Sequence, residues 1–234
     1  MTLTKYPHEA LGHADHGWLN ARHHFSFGSY RDPQRTGFGT LLVINDDSIE
    51  AHKGFAPHPH RDMEIITYVR TGAITHEDSN GNKGRTGAGD LQVMSAGTGI
   101  THSEWNHEDE TTTLFQIWIT PKENGIAPHW DAKAFPKEVG TSLGVLVSGR
   151  PEDDVHKPLY IHQDAAIYGG RLAAGTATQQ AIKYQAYIVV SDGELEVNGE
   201  RLKTGDGMEV LGTDSISIKA HSEAELLVID IPEA

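Results

Sequence analysis

The chain has 234 residues, 37% hydrophobic and 22% charged, with a formal net charge of −14 and no cluster of Lys and Arg. A phosphate backbone would be repelled over most of such a surface, so nucleic acid is not expected as a direct partner. There are no cysteines, which removes disulfides, thiolate nucleophiles, iron–sulfur clusters and Cys-type zinc sites and leaves nitrogen and oxygen as the only metal donors.

From the N-terminus, Met1 to His8 contains no apolar leader, and no window approaches the roughly 18 apolar residues of a membrane helix, so a cytoplasmic protein is expected. Helical periodicity is nearly absent. Short β-branched or aromatic runs recur instead at Thr40–Ile44, Ile65–Val69, Leu114–Ile119, Gly144–Val147, Tyr187–Val190 and Glu225–Ile231, and each reads as a strand. Asn80-Gly81, Asp192-Gly193 and Asn198-Gly199 between them supply the positive φ of tight hairpin turns. The 25 glycines fit a turn-rich, mainly antiparallel fold.

Two segments share one plan. Tyr68 to Gly72, Asn80-Gly81 and Gly89-Asp90 match Tyr187 to Gly193, Asn198-Gly199 and Gly205-Asp206, in the order strand, Gly turn, strand, Asn-Gly turn, Gly-Asp turn, strand. This points to a duplicated small β-barrel or jelly roll joined somewhere between Ala127 and Pro158.

His58 and His60 lie two apart, so on an extended chain their imidazoles point to one side, and His102 and Glu104 repeat that spacing after a Gly-rich turn. Three imidazoles and one carboxylate suit a divalent first-row ion and leave positions for water, O₂ or a substrate oxygen. Glu64 also falls an even number of residues after His60. On spacing alone either Glu64 or Glu104 can be the carboxylate ligand, and the other can steady a ligating imidazole. Asp62 reads as a turn or surface acid. Carried onto the second copy, the same offsets give Gln179, Ala181, Ile218 and Ala220, so a metal is expected only in the first half. Trp105, Phe55, Phe115 and Trp118 lie near the ligand motifs and could line a flat apolar pocket, although Phe115 and Trp118 read better as barrel core. His23 and His24 read as structural or exposed.

These motifs resemble the cupin superfamily and, within it, the pirin family. The resemblance is carried by Gly17-Trp-Leu19, His24-Phe-Ser-Phe-Gly28, Val43-Ile-Asn-Asp-Asp47, Pro57 to Val69, Met94 to Glu104, Gln116 to Ile119 and Glu123 to Ile126; it is thin beyond residue 130. It implies an all-β bicupin of two double-stranded β-helix (jelly-roll) barrels, a metal-binding one over 1–135 and one without ligands over 136–234. It implies the ligand set His58, His60, His102 and Glu104, with Glu64 demoted to a supporting group. The implied ion is Fe(II) first, with Zn, Mn, Co, Ni or Cu also compatible. The implied activity is a metal-dependent dioxygenase that opens a flavonol such as quercetin with O₂ and releases CO, with Glu104 taking the substrate's proton. The alternative the resemblance offers is a metal-binding, redox-sensing regulator whose C-terminal barrel meets a transcription factor or enzyme.

Overall fold

Each apolar run of the sequence becomes a strand: Leu41–Ile49, Glu64–Thr71, Thr112–Ile119, Gly144–Ser148, Gln185–Asp192 and Ala224–Ile231. The computed structural model describes residues 1–234 and contains, besides strands, only two short 3-10 turns, His8–Ala10 and Pro151–His156. No helix is long and apolar enough to cross a membrane. The hairpin turns divide into two kinds. Asn198 and Gly199 both take positive φ, 48° and 89°, as a two-residue primed turn between Glu194–Val197 and Glu200–Lys203 requires. At Asn80-Gly81 and Asp192-Gly193 only the glycine does, with φ of 86° and 82°.

The strands form four sheets, two per barrel. In the N-terminal half a seven-stranded sheet runs His129–Lys133, Leu91–Ser95, Glu64–Thr71, Thr112–Ile119, Leu41–Ile49, Leu19–His23, Gly12–Asp15. Its companion is a four-stranded sheet in the order Gly54–His60, Ile100–Trp105, Ala73–Asp78, Lys83–Gly87. The C-terminal half repeats the plan with an eight-stranded sheet centred on Gln185–Asp192 and Ala224–Ile231, and a four-stranded one, Ala177–Ala181, Ser215–Ala220, Glu194–Val197, Glu200–Lys203. The first strand of the chain, Thr2–Tyr6, crosses over and pairs with Gly207–Leu211 of the C-terminal sheet. The last strand of the N-terminal sheet ends at Lys133, and Val139–Gly140 already pairs with Ala166–Leu172 of the other barrel.

Side chains alternate across these sheets, and the alternation sorts the core into layers. Ile66, Phe115 and Ile117 leave the N-terminal barrel outward and join Tyr187, Val189 and Ile229 in a shared core of 22 buried residues between the barrels. Sixteen more, among them Ile188, Leu195, Ile216 and Ile218, fill the C-terminal barrel. The interior of the N-terminal barrel is different. Leu19, Ala21, Ile49, Val69, Ile74 and Leu114 close one end, a small group around Ile65, Met94 and Ile100 packs another part, and polar side chains lie between them.

Polar ties cross the seam. Arg35 Nη2 donates to the His24 carbonyl at 2.8 Å and to the Tyr187 hydroxyl at 3.0 Å, and its guanidinium lies 3.4 Å from the centre of the Tyr6 ring. Tyr68 Oη donates to Glu225 Oε1 at 2.5 Å.

Candidate metal centre

The edge strand Gly54–His60 runs antiparallel to Ile100–Trp105, with His58 directly opposite His102. His60 is two residues from His58 and therefore shares its face. The three rings converge, with centroids 4.5 to 5.0 Å apart, and one ring nitrogen from each lies within 4.8 Å of the others. A bulge between His102 and Glu104 shifts the register on the Gly54–His60 side. Glu104, in turn, gathers with His102 and His76, again within 4.8 Å. His102 thus joins the two groups.

Hydrogen bonds on the remote side of two rings decide where their free lone pairs lie. His58 Nδ1 is 2.8 Å from the Ala56 carbonyl, which can only accept, so Nδ1 carries the proton and Nε2 is bare. His102 is held through a longer chain. Asp78 Oδ2 accepts from His76 Nε2 at 3.0 Å, and His76 Nδ1 lies 3.3 Å from His102 Nδ1. With its proton on Nε2, His76 accepts at Nδ1, so His102 donates from Nδ1 and bares Nε2. That Nε2 is buried and has no hydrogen-bond partner. Trp130 stacks on His76 at 5.0 Å and 11° and fixes its plane. A Cβ at Gly84 would stand 2.2 Å from that indole, so glycine is required there.

Burial, reinforced by the neighbouring imidazoles, holds His60 down to about 4 and His102 down to about 3. Both are neutral near pH 7, the state in which an imidazole binds metal. Glu104 Oε1 accepts from Gln92 Nε2 at 2.7 Å and Thr67 Oγ1 at 3.1 Å, while Oε2 accepts from Gln116 Nε2 at 2.5 Å. Three donors fix the carboxyl group in place and leave Oε2 one lone pair to spare. A bare, orphaned Nε2, two further imidazoles and an anchored carboxyl group fit a divalent cation of the first transition row.

Glu64 is not part of this arrangement. It accepts from Ser95 Oγ at 2.7 Å and from the His162 backbone N–H at 3.2 Å, on the face turned toward the second barrel. The even count from His60 fails because Arg61 to Met63 form a turn, with Asp62 at φ 48°, that resets the alternation. Glu64 supports no imidazole, contrary to the expectation; its place beside the anchored groups is taken by His76 and Gln116. Neither was visible in the spacing pattern.

A cavity of about 670 Å³ opens from the histidines into the barrel, well within the roughly 300–1,000 Å³ usual for small-molecule sites. Trp18, Phe27, Phe55 and Trp118 form its aromatic walls, and Asn45, Asp47, Glu104 and Gln116 its polar side. Trp118, expected in the core, instead meets His60 edge-on at 5.0 Å. Phe115 is core, as expected. Trp105 stacks on His107 outside the cavity. His23 lines the cavity and bonds Asn45 at 2.7 Å, whereas His24 is buried against the Tyr187 hydroxyl.

Residues 5–119 match the family described as pirin, and 145–231 match the quercetinase C-terminal cupin domain. A pirin-like protein of Caulobacter vibrioides is 51% identical over 230 residues, covering 97% of this chain and 99% of its own. The chain belongs to the pirin family. This pirin is all-β with two cupin barrels, as its structural neighbours show. It is also 44% identical over 224 residues to a quercetin 2,3-dioxygenase of Escherichia coli, covering 94% of this chain and 95% of that one. The structure of the E. coli bacterial pirin YhhW in complex with nickel(II) superposes with a TM-score of 0.93 at 41% identity, over all of both chains.

Proposed function

We propose that His58, His60, His102 and Glu104 hold one divalent ion, Fe(II) in the first place, and that this pirin is a dioxygenase acting on a flavonol such as quercetin. The observation that carries the reading is the bare Nε2 of His102, sealed from solvent and unpartnered, beside two imidazoles and a carboxylate at the head of an aromatic-walled cavity. The name borne by the E. coli relative and the nickel in the YhhW structure support it.

When bound, the ion supplies Lewis acidity at the flavonol 3-oxygen and a place for O₂ beside it. The chain supplies the rest. Glu104 serves in turn as a ligand and as the acceptor for the 3-hydroxyl proton, both through the one Oε2 lone pair that Gln116 leaves free. Gln92 and Thr67 hold its other oxygen and fix the carboxylate plane. Trp18, Phe27, Phe55 and Trp118 take the flat rings and keep water from them. The overall change is balanced without a reductant: both atoms of O₂ enter the ring-opened product, and one ring carbon leaves as CO.

Quercetin added in air to protein loaded in turn with Fe, Mn, Co, Ni or Cu should release CO in step with loss of the flavonol absorbance. No CO with any of these ions overturns the proposal.

A further inference from the structure

Asp47 is a buried carboxyl inside the N-terminal barrel that no protein group explains. It lies on Leu41–Ile49 in a cross-strand row with Ala21 and Leu114, an apolar row just above the Leu19 and Ile49 floor. The next row toward the histidines, His23, Asn45 and Gln116, is polar and each member is bonded, with Asn45 receiving His23 and Gln116 reaching Glu104. Asp47 has no such arrangement. Its Oδ1 is shut from solvent and has no hydrogen-bond partner, and the residue lines the 670 Å³ cavity. Its chain neighbour Asp46, on the opposite face, is paired with Arg70. Ala21, its cross-strand neighbour, lines the same cavity.

A buried polar group without a partner is costly, and a pocket wall is where such a cost is relieved by a ligand. The two carboxyls of the cavity have opposite surroundings. Glu104 is held by three donors. Asp47 is pushed well above the usual carboxylate range by burial and by the charges of Asp46 and Glu104. A carboxyl in that condition can both donate and accept, which suits a hydroxyl.

We infer that Asp47 recognises a hydroxyl of the bound ligand, so that the cavity selects a flat aromatic molecule carrying a hydroxyl remote from the oxygen that faces the histidines. The inference rests on the reading of the cavity as a flavonol site, which it sharpens from flavonols at large to those hydroxylated away from the metal-facing edge.

The test is binding, without turnover: nickel(II)-loaded protein under nitrogen, titrated with quercetin and with 3-hydroxyflavone, which keeps the 3-hydroxyl and 4-keto oxygens but lacks the other hydroxyls. Wild type should prefer quercetin by roughly tenfold, the size of one good hydrogen bond. Asp47→Leu should abolish that preference while leaving 3-hydroxyflavone within about threefold of wild type, and Asp47→Asn should retain most of it. Both variants should melt no lower than wild type, which separates loss of recognition from loss of fold. Equal weakening of both ligands by Asp47→Leu, or no change in either, overturns the assignment. If neither flavonol binds wild type, the flavonol reading itself fails. Asp47 is then decided by 2-naphthol against naphthalene: a preference for the naphthol that Asp47→Leu removes sustains the role, and its persistence or absence overturns it.

Discussion

Replacing His76 by leucine should loosen metal binding without the variant touching the ion. His76 is fully buried and transmits the Asp78 carboxylate to His102 Nδ1 through contacts of 3.0 and 3.3 Å. In His76→Leu, Asp78 keeps Asn82 Nδ2 on Oδ2 and the Asn80 and Asn82 backbone N–H groups on Oδ1, so it remains satisfied. His102 does not. Its Nδ1–H loses the acceptor, and the proton is free to move to Nε2, where it blocks the lone pair that faces His58 and His60. Loss of such an outer partner typically costs 10–100-fold in metal affinity, about 1.4–2.7 kcal/mol. Competition for zinc or nickel against a chromophoric chelator reads this directly. His76→Asn places a carbonyl oxygen near the Nδ1 position and should recover most of the affinity, which distinguishes a hydrogen-bonding role from mere filling of volume. Affinity within threefold of wild type for a folded His76→Leu protein would refute the chain of reasoning from Asp78 to the bare Nε2.

His60→Ala should lose its metal, by elemental analysis, while the metal-free form melts within about 2 °C of metal-free wild type; unchanged metal content would remove His60 from the ligand set. Acid should destabilise the metal-free protein in a defined window. Burial holds His24 down to about 3, so below the ordinary value near 6.5 the unfolded chain binds a proton that the folded one refuses, and stability falls as pH drops from about 6.5 toward 3. The fall from 6.5 to about 3 is worth at most roughly 5 kcal/mol, with His60 and His102 adding in the same direction, so urea midpoints for His24→Leu should fall less between pH 6 and 4 than those of wild type. Equal slopes would refute the assignment. Arg35→Leu strands Glu209 and removes the bonds to the His24 carbonyl and Tyr187; a loss of about 3–5 kcal/mol is expected in urea, and less than about 1 kcal/mol would show that the seam does not depend on it.

What the sequence makes legible is whatever repeats locally. Apolar runs and Asn-Gly or Asp-Gly pairs mark the strands and turns because side-chain alternation and positive φ are properties of a few neighbouring residues. His58 with His60 and His102 with Glu104 are readable for the same reason. Glu64 misleads because parity is counted along a continuous strand, and the positive φ of Asp62 breaks that count. His76 lies in Thr75-His-Glu-Asp78, a polar hairpin arm whose residues look solvated. It becomes structural only because Ala73–Asp78 pairs with Ile100–Trp105 in the register that sets His76 against Glu104. Asp47 is hidden similarly, since Asp46 and Asp47 look equivalent until the sheet sends one toward Arg70 and the other into the cavity. Pairing between strands distant in the chain carries this information, and one sequence does not state it.

The division between the barrels follows from what a reactive interior costs. Around the N-terminal cavity, Asp47 Oδ1 and His102 Nε2 are buried without partners, and each such group costs about 1–3 kcal/mol, against a net stability of typically about 5–15 kcal/mol for a domain. That barrel keeps only small apolar groups at its ends. The interior of the second barrel is apolar instead. Ile216, Ile218 and Ala220 sit on Ser215–Ala220, the counterpart of Ile100–Trp105, and help fill its interior with hydrocarbon. The 22-residue core then couples the two, with Ile66 and Phe115 on the outer face of the same strands whose inner faces present Thr67 and Gln116 to Glu104. Truncating Tyr187 or Ile229 in the seam should therefore loosen the carboxylate anchor as well as the fold, because the strands that place Thr67 and Gln116 are held flat from behind.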